Sequence, residues 1–405
     1  MTTDATSAPT PWRLQVFWLG LVTIGSFGVV LYGFGAFVAP IGDDTGWSTA
    51  SISAAFSIST IAGGIGALGT GRLLDRVGAQ PVMAVTLVIG SAGLWLSSYA
   101  DHAWQFTVAW GLGGAIISAG LLYNATMAVT TRITPIADRA KAFTWLTVLG
   151  GLASPIAFPL AGAFVEAWGW RAAIRAMVIF MIVCTAPALV GVHGDRKLLD
   201  DAEHHTTPGF DGVRAALSSS LVWRWLLASS MGMAGLVAVQ VHQVGAIEAT
   251  GVSLGVASTL AGIRGLLSLP GRAATATLTD RIGIVPALRL VYAIMSVGTL
   301  ALVAAGSIAW VWIFVVLTGL AFGSVAPMQG LYAAELYGQR RIGTLMGMQQ
   351  VIVGSLGATG PFLLGLTIDA TGGYTTMLVI ATVLQVIALV SYRDPSATER
   401  AEHPK

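Results

Sequence analysis

Residues 71–78 read Gly71-Arg72-Leu73-Leu74-Asp75-Arg76-Val77-Gly78, and residues 276–283 read Ala276-Thr277-Leu278-Thr279-Asp280-Arg281-Ile282-Gly283, with the two aspartates 205 positions apart. Both octapeptides follow a long apolar run. Ala276 replaces Gly71, one small residue for another. A second pair recurs near the same offset: Pro159 to Glu166-Ala167-Trp168-Gly169-Trp170, and Pro361 to Asp369-Ala370-Thr371-Gly372-Gly373-Tyr374, acid to acid 203 residues apart. Arg139 and Arg340, each preceding another apolar run, stand 201 apart. In a chain of 405 residues this offset is close to half the length, so the sequence implies one unit used twice.

The apolar runs around these motifs set the class. Lys, Arg, Asp and Glu together make up 10% of the chain, where a soluble domain carries roughly 25%. The hydrophobic fraction is 55% and the mean hydropathy +0.77. These values exclude an ordinary soluble enzyme, a disordered chain and a nucleic-acid binder with a basic face. The net charge of +2 provides no electrostatic theme, and the single Cys184 excludes a disulfide scaffold. Fifty glycines point to closely packed membrane helices. The first dozen residues are polar, and the run after Arg13 lacks a small-residue cleavage pattern, so no cleaved leader is expected.

Crossing the hydrocarbon takes about 20 apolar residues as helix. Twelve such spans are predicted, at 14–38, 49–71, 81–99, 104–130, 141–164, 171–192, 221–247, 253–276, 284–305, 308–334, 342–366 and 373–392. The fold expected is therefore an all-α membrane protein of two pseudo-symmetric six-helix bundles, 1–192 and 221–405. A polar linker at 193–220, carrying Asp195, Arg196, Lys197, Asp200, Asp201, Glu203, His204 and His205, joins them. With both termini cytoplasmic, 17 of the 21 basic residues fall on the cytoplasmic side, which sets the orientation. The other four are Arg171, Arg175, Arg264 and Arg272. Duplicated bundles with a site between them describe an alternating-access transporter of the cell membrane.

Gly71 to Gly78 resembles the major facilitator signature G-x-x-x-D-R-x-G-R-R, with Ala79 and Gln80 in place of its final basic pair. The resemblance runs over essentially the whole chain. Within that superfamily, the sequence resembles the monocarboxylate transporters and the bacterial oxalate/formate-antiporter group. The residues that carry this likeness are Gly46-Trp47-Ser48 with Ile52-Ser53, Arg272 eight residues before Asp280, and Gly360-Pro361 to Gly365 and Asp369. The likeness implies transport of a small carboxylate with Arg272 as its anchor. The chain departs from the group in three places. Ser268 stands where the mammalian members have a carboxylate, Tyr32 lies near their span 1 Lys, and 342–366 lacks the span 11 Lys of oxalate antiporters. The last departure argues against oxalate.

An ion inside the bilayer costs roughly 2.5–3.5 kcal/mol on insertion scales, so it persists where it faces water or binds something. Arg264 and Arg272, eight residues apart in span 8, differ by about 80° in azimuth and ~12 Å in height. They can line one side of a cavity at two depths. A guanidinium binds a carboxylate bidentately, and no mid-span acid is available to neutralise either arginine. A buried ion pair, or snorkelling of Arg272 towards the cytoplasm, is the plainer alternative.

His242, between Gln240 and Gln243 in span 7, can serve as the proton-coupling site or simply shape the cavity. Glu248 reads as an acid of the outer mouth. Tyr32, Tyr123, Asn124, Gln329 and Tyr332 supply hydroxyls or amides that can orient a substrate, although membrane tyrosines more commonly pack or anchor. Gln349 and Gln350 belong to the same class. Asp75 with Arg76, and Asp280 with Arg281, are read as a cytoplasmic gate that can accept from helix N-termini and pair with arginines. Trp170-Arg171 reads as a structural anchor.

No phosphate loop, metal-ligand spacing or catalytic acid pair is present, and His204-His205 belongs to the linker. The reading is a non-enzymatic secondary transporter of a small organic anion, a monocarboxylate, coupled to protons by symport. Its partners are the bilayer, the anion and the proton. No cofactor, metal, nucleic acid or obligate protein partner is expected. Alternatives are an exporter of drugs or secondary metabolites, disfavoured by two intramembrane arginines, and a non-transporting sensor or scaffold, disfavoured by short tails.

Overall fold

The computed structural model describes residues 11–193, 220–337 and 349–393. Apart from His193 and Ser220, the predicted linker lies outside them. So do Arg340, Arg341, Arg400, Lys405 and the Gln350 side chain.

Twelve spans form two bundles of six. In the first are α1 (Trp12–Thr45), α2 (Thr49–Val77), α3 (Ala79–Ser97), α4 (Ala103–Ile133), and α5 and α6, which share the run Ile136–Gly191 and meet at Gly169. In the second are α7 (Ser220–Glu248), α8 (Leu254–Ile282), α9 (Ile284–Val303), α10 (Ile308–Tyr337), α11 (Gly354–Thr371, after a π-helical turn Gln349–Val353) and α12 (Thr375–Ser391). Among the described residues nine helices are long and apolar enough to cross a membrane, with α5–α6 counted once as a single run. α12 is shorter, at 17 residues, and α8, which holds Arg264 and Arg272, is not among the nine. A helix that poor in apolar surface is tolerated in the bilayer only when its polar groups face protein or a watery cavity.

The duplication is written in the backbone. The described residues contain six glycines with positive φ, and they form three pairs: Gly46 (71°) with Gly251 (96°), Gly78 (84°) with Gly283 (82°), and Gly169 (75°) with Gly372 (69°). A side chain at any of them would be strained, so the helix boundaries of both halves depend on glycine at matched positions. The N-caps match as well. The Ser48 hydroxyl accepts from the Ser51 N–H at 3.2 Å at the start of α2, and the Ser253 hydroxyl accepts from the Val256 N–H at 3.3 Å at the start of α8.

Glycine also sets how closely the bundles approach. A Cβ on Gly162 (α5) would fall 2.4 Å from the Ser258 hydroxyl of α8, and one on Gly365 (α11) 3.1 Å from the Ala50 Cα of α2. One on Gly35 (α1) would lie 2.8 Å from the Val241 carbonyl of α7. One apolar core runs through the first bundle, with Phe34, Trp110 and Phe158, and crosses to Val241, Leu254 and Phe314 at the end away from the termini. A second core, with Trp225, Leu288, Tyr292 and Tyr392, stays within the second bundle at the terminal end. The bundles are thus fused through shared core at the end remote from the termini.

Candidate functional site

α1 is interrupted by a π-helical turn, Gly28–Gly33, which contains Tyr32. Such bulges re-aim side chains inside a helix and concentrate at functional sites. Tyr32 lies between Phe27 (ring centroids 6.4 Å apart) and Phe158 (5.9 Å), and within electrostatic reach of both Arg264 and Arg272. α4 breaks at Leu121, whose freed carbonyl accepts from the Ser26 hydroxyl of α1 at 3.0 Å. The break lets α4 restart at Tyr123. The Tyr123 ring packs on Phe27, centroid to centroid 4.7 Å, and its hydroxyl is within hydrogen-bonding reach of the Arg272 guanidinium. The structure therefore brings Tyr32, Tyr123, Arg264 and Arg272 together between the bundles.

The two arginines are held very differently. Arg264 is 3% exposed. Its Nε donates to Thr318 Oγ1 (2.7 Å), and its Nη1 donates to Gln240 Oε1 (2.8 Å) and Gln243 Oε1 (3.1 Å). The rings of Phe314 and Phe322 flank it at 5.6 and 5.2 Å. Every one of these partners is neutral, and none of them bonds Nη2. Arg272 is half-buried, and its Nε has no hydrogen-bond partner. Among the described residues no carboxylate forms an ion pair with either guanidinium. Two guanidiniums thus lie at the centre of a membrane bundle with no carboxylate partner among the described residues.

His242 points elsewhere. It is 1% exposed, its Nε2–H donates to the Pro361 carbonyl of α11 at 3.0 Å, and its Nδ1 has no partner. A backbone carbonyl has two lone pairs, so Pro361 O can accept from His242 beside its place in the helix ladder.

Gln329 and Tyr332 lie in the second bundle's own core. Gln329 donates to the Tyr292 hydroxyl (3.1 Å) and accepts from Gln349 (3.0 Å), and the Tyr332 hydroxyl donates to the Arg393 carbonyl (2.9 Å). These bonds tie both residues to their own bundle rather than to Arg264 or Arg272. Asn124 is exposed on α4, next to Tyr123.

At the terminal end, Arg132 of α4 forms an ion pair with Asp75 and donates to the Leu74 carbonyl at 3.0 Å. Asp75 is therefore tied within its own bundle rather than to Arg76. Arg76, Asp280 and Arg281 are exposed, with no ion pair to a described residue. At the opposite end, Asp44 Oδ2 accepts from Trp170 Nε1 (2.8 Å) and Arg171 Nη1 (3.0 Å), an anchor internal to the first bundle.

In the sequence Glu166 and Asp369 are landmarks of the repeat, and Asp369 also closes the motif shared with the monocarboxylate group; neither is marked there as a contact between bundles. In the structure Glu166 Oε1 accepts from the Gly255 N–H of α8 at 2.7 Å. Asp369 Oδ1 and Oδ2 accept from the Thr49 and Ala50 N–H groups of α2 at 2.7 and 2.9 Å. Both cross from one bundle to the other. Their shared spacing was the available signal.

The profile of the Major Facilitator Superfamily matches residues 17–361. A gentisate transporter of Corynebacterium glutamicum is 24% identical over 399 residues, covering 92% of this chain and 86% of that one. Monocarboxylate transporter 13 of Rattus norvegicus is 26% identical over 322 residues, covering 76% and 71%. The solved structure of the nucleoside transporter NupG superposes with a TM-score of 0.78 at 16% identity, covering 95% of this chain and 98% of that one. A D-xylose-proton symporter gives 0.71 at 13% identity, covering 94% and 97%. With the family profile over most of its length and two fused six-helix bundles around a central polar site, this chain is a multi-pass membrane protein that belongs to the major facilitator superfamily.

Proposed function

We propose that this chain is a secondary transporter of a small organic anion, a monocarboxylate, working by alternating access with proton symport. The observation that carries the reading is the pair of guanidiniums on α8 without a carboxylate partner, with Tyr32 in reach of both and Tyr123 beside Arg272. A buried cation without a counter-ion is unfavourable, and a ligand carboxylate relieves that cost while gaining bidentate hydrogen bonds. Arg272, less caged than Arg264, is the anchor. Arg264, fixed by Gln240, Gln243 and Thr318, supplies a preorganised positive field. The rings of Phe27, Tyr32 and Tyr123 give the same space an apolar wall. Relatives named gentisate transporter and monocarboxylate transporter lend support.

In this reading both termini are cytoplasmic, which the distribution of basic residues supports. The remote end, where the bundles share core, is then the outer end, and the arrangement is outward-closed. His242, buried against α11, is the coupling site in this scheme. In proteoliposomes with an inward proton gradient, a labelled carboxylate drawn from a panel including lactate, pyruvate, benzoate and gentisate accumulates, and Arg272→Ala abolishes the accumulation. Extrusion of a hydrophobic dye with no uptake across the panel would overturn the anion reading.

A further inference from the structure

Two carboxylates at the end remote from the termini reach across the bundle boundary. Glu166 ends α5 of the first bundle and caps α8 of the second, at Gly255 (2.7 Å). Asp369 ends α11 of the second bundle and caps α2 of the first, at Thr49 (2.7 Å) and Ala50 (2.9 Å). Each bundle therefore donates one carboxylate and receives one. Four residues before each acid stands the glycine that permits the approach, Gly162 against Ser258 and Gly365 against Ala50. Each receiving helix begins the same way, with a left-handed glycine (Gly46, Gly251), then a serine N-cap (Ser48, Ser253). The serine satisfies one orphan N–H of the first turn, and the carboxylate from the other bundle takes the N–H groups the serine leaves.

We infer that Glu166 and Asp369 are paired gating residues of the transport cycle, holding the remote end shut by capping helix N-termini across the bundle boundary. A carboxylate on a helix N-terminus gains charge-assisted hydrogen bonds and the field of the helix dipole. Both are lost when α2 parts from α11 and α5 from α8, which opening of this end requires. The contacts are therefore made in one state and broken in the other, as a switch element must be. No equivalent reaches across the terminal end among the described residues, where Asp75 and Arg132 lie in the same bundle. The remaining acids at the remote end act differently. Glu248 of α7 lies near both Asp43 of α1 and Glu166, so these like charges oppose closure, and neither Asp43 nor Glu248 caps a helix across the boundary among the described residues.

The test uses the full chain in nanodiscs with Cys184→Ser and Ser258→Cys. Ser258 is fully buried where α8 packs on Gly162, so a thiol there reacts with a maleimide only when the remote end opens. Glu166→Gln and Asp369→Asn keep size and an acceptor oxygen but remove the charge. Each is expected to raise the labelling rate about fivefold, and the two together roughly 25-fold, because the sites are separate and their effects add. Asp43→Asn, which removes a neighbouring charge but no cap, leaves the rate unchanged or lowers it. Thr49→Pro provides a variant that touches no carboxylate. Proline is tolerated at the first helical position, the preceding Ser48 is already extended (φ −66°, ψ 143°), and one donor to Asp369 is deleted. It is expected to raise the rate severalfold as well. Rates within twofold of the parent for the double variant and for Thr49→Pro, in protein that remains monodisperse, would overturn the inference. So would an equal rise in Asp43→Asn.

Discussion

Arg264 and Arg272 lie on one helix, and their surroundings predict opposite consequences of removing them. Arg264→Ala deletes three hydrogen bonds and strands Gln240 Oε1, Gln243 Oε1 and Thr318 Oγ1 in a site where Arg264 itself is 3% exposed. Thr318 keeps its own donation to the Phe314 carbonyl at 2.6 Å, and Gln243 keeps its bond to the Gln240 carbonyl at 3.1 Å, so the damage is partial. Leaving two or three buried acceptors unpaired amounts to roughly 3 kcal/mol of lost stability. Arg272→Ala deletes a half-buried group whose Nε has no partner and whose guanidinium has the Tyr123 hydroxyl within hydrogen-bonding reach, so stability changes by less than about 1 kcal/mol. Its cost falls on the ligand: losing one side of a desolvated charge pair removes ~2–4 kcal/mol of affinity, or roughly 30- to 700-fold in Kd. Arg272→Lys keeps the charge but not the fork, and should recover part of that loss. The assay is a thermal melt of each purified variant with and without saturating carboxylate, followed by uptake in proteoliposomes. The expected pattern is a lower apo Tm for Arg264→Ala and an unchanged apo Tm with a lost ligand shift for Arg272→Ala. An Arg272→Ala protein that retains affinity within threefold would refute the anchor assignment.

Other consequences follow from particular contacts. His242→Gln retains a donor toward the Pro361 carbonyl but cannot titrate, so uptake should lose its response to an imposed proton gradient; an unchanged response removes His242 from proton coupling. Asp75→Asn breaks a pair that is internal to one bundle and has its carboxylate 57% exposed, so its stability cost is under about 1 kcal/mol. It should also change Ser258→Cys labelling by less than twofold, and a larger change would make Asp75 a conformational gate. Gly323→Ala places a methyl 1.9 Å from the Ser268 carbonyl, backbone against backbone, and should cost more than about 4 kcal/mol or abolish folding, read as lost monodisperse protein. Gly69→Ala meets nothing within 4 Å in mid-helix and should be neutral or stabilise by up to ~1 kcal/mol, read as an equal or higher Tm.

The fold was legible because its information is one-dimensional. Apolar runs of span length and motifs repeating near a 205-residue offset do not depend on which helix touches which. The repeat was deeper than the motifs disclosed: Gly46 and Gly251 share that offset and the left-handed conformation, yet as letters they are two glycines among fifty. The site was legible in part. The scarcity of intramembrane charge marked Arg264 and Arg272, and both stand in the centre. Gln329 and Tyr332 have the same polar chemistry as Tyr32 and Tyr123, and nothing in the sequence tells a side chain aimed between bundles from one aimed into its own bundle. That distinction is azimuthal, and local breaks set it here: the π-helical turn at Gly28–Gly33 re-aims Tyr32, and the break at Leu121 starts a new helical phase at Tyr123.

Glu166 and Asp369 show why a landmark of a repeat can be more than a scar of duplication. If two copies of one bundle face each other, any residue that reaches across the boundary from one copy has a counterpart reaching back. A carboxylate at the end of the fifth helix of each copy therefore meets the start of the second helix of the other, which gives Glu166 on α8 and Asp369 on α2. Each contact alone is a modest helix cap. Because duplication makes two of them, one on either side of the boundary, neither bundle can rock away at this end without losing both, and the closed state is held by the sum of contacts that are individually weak.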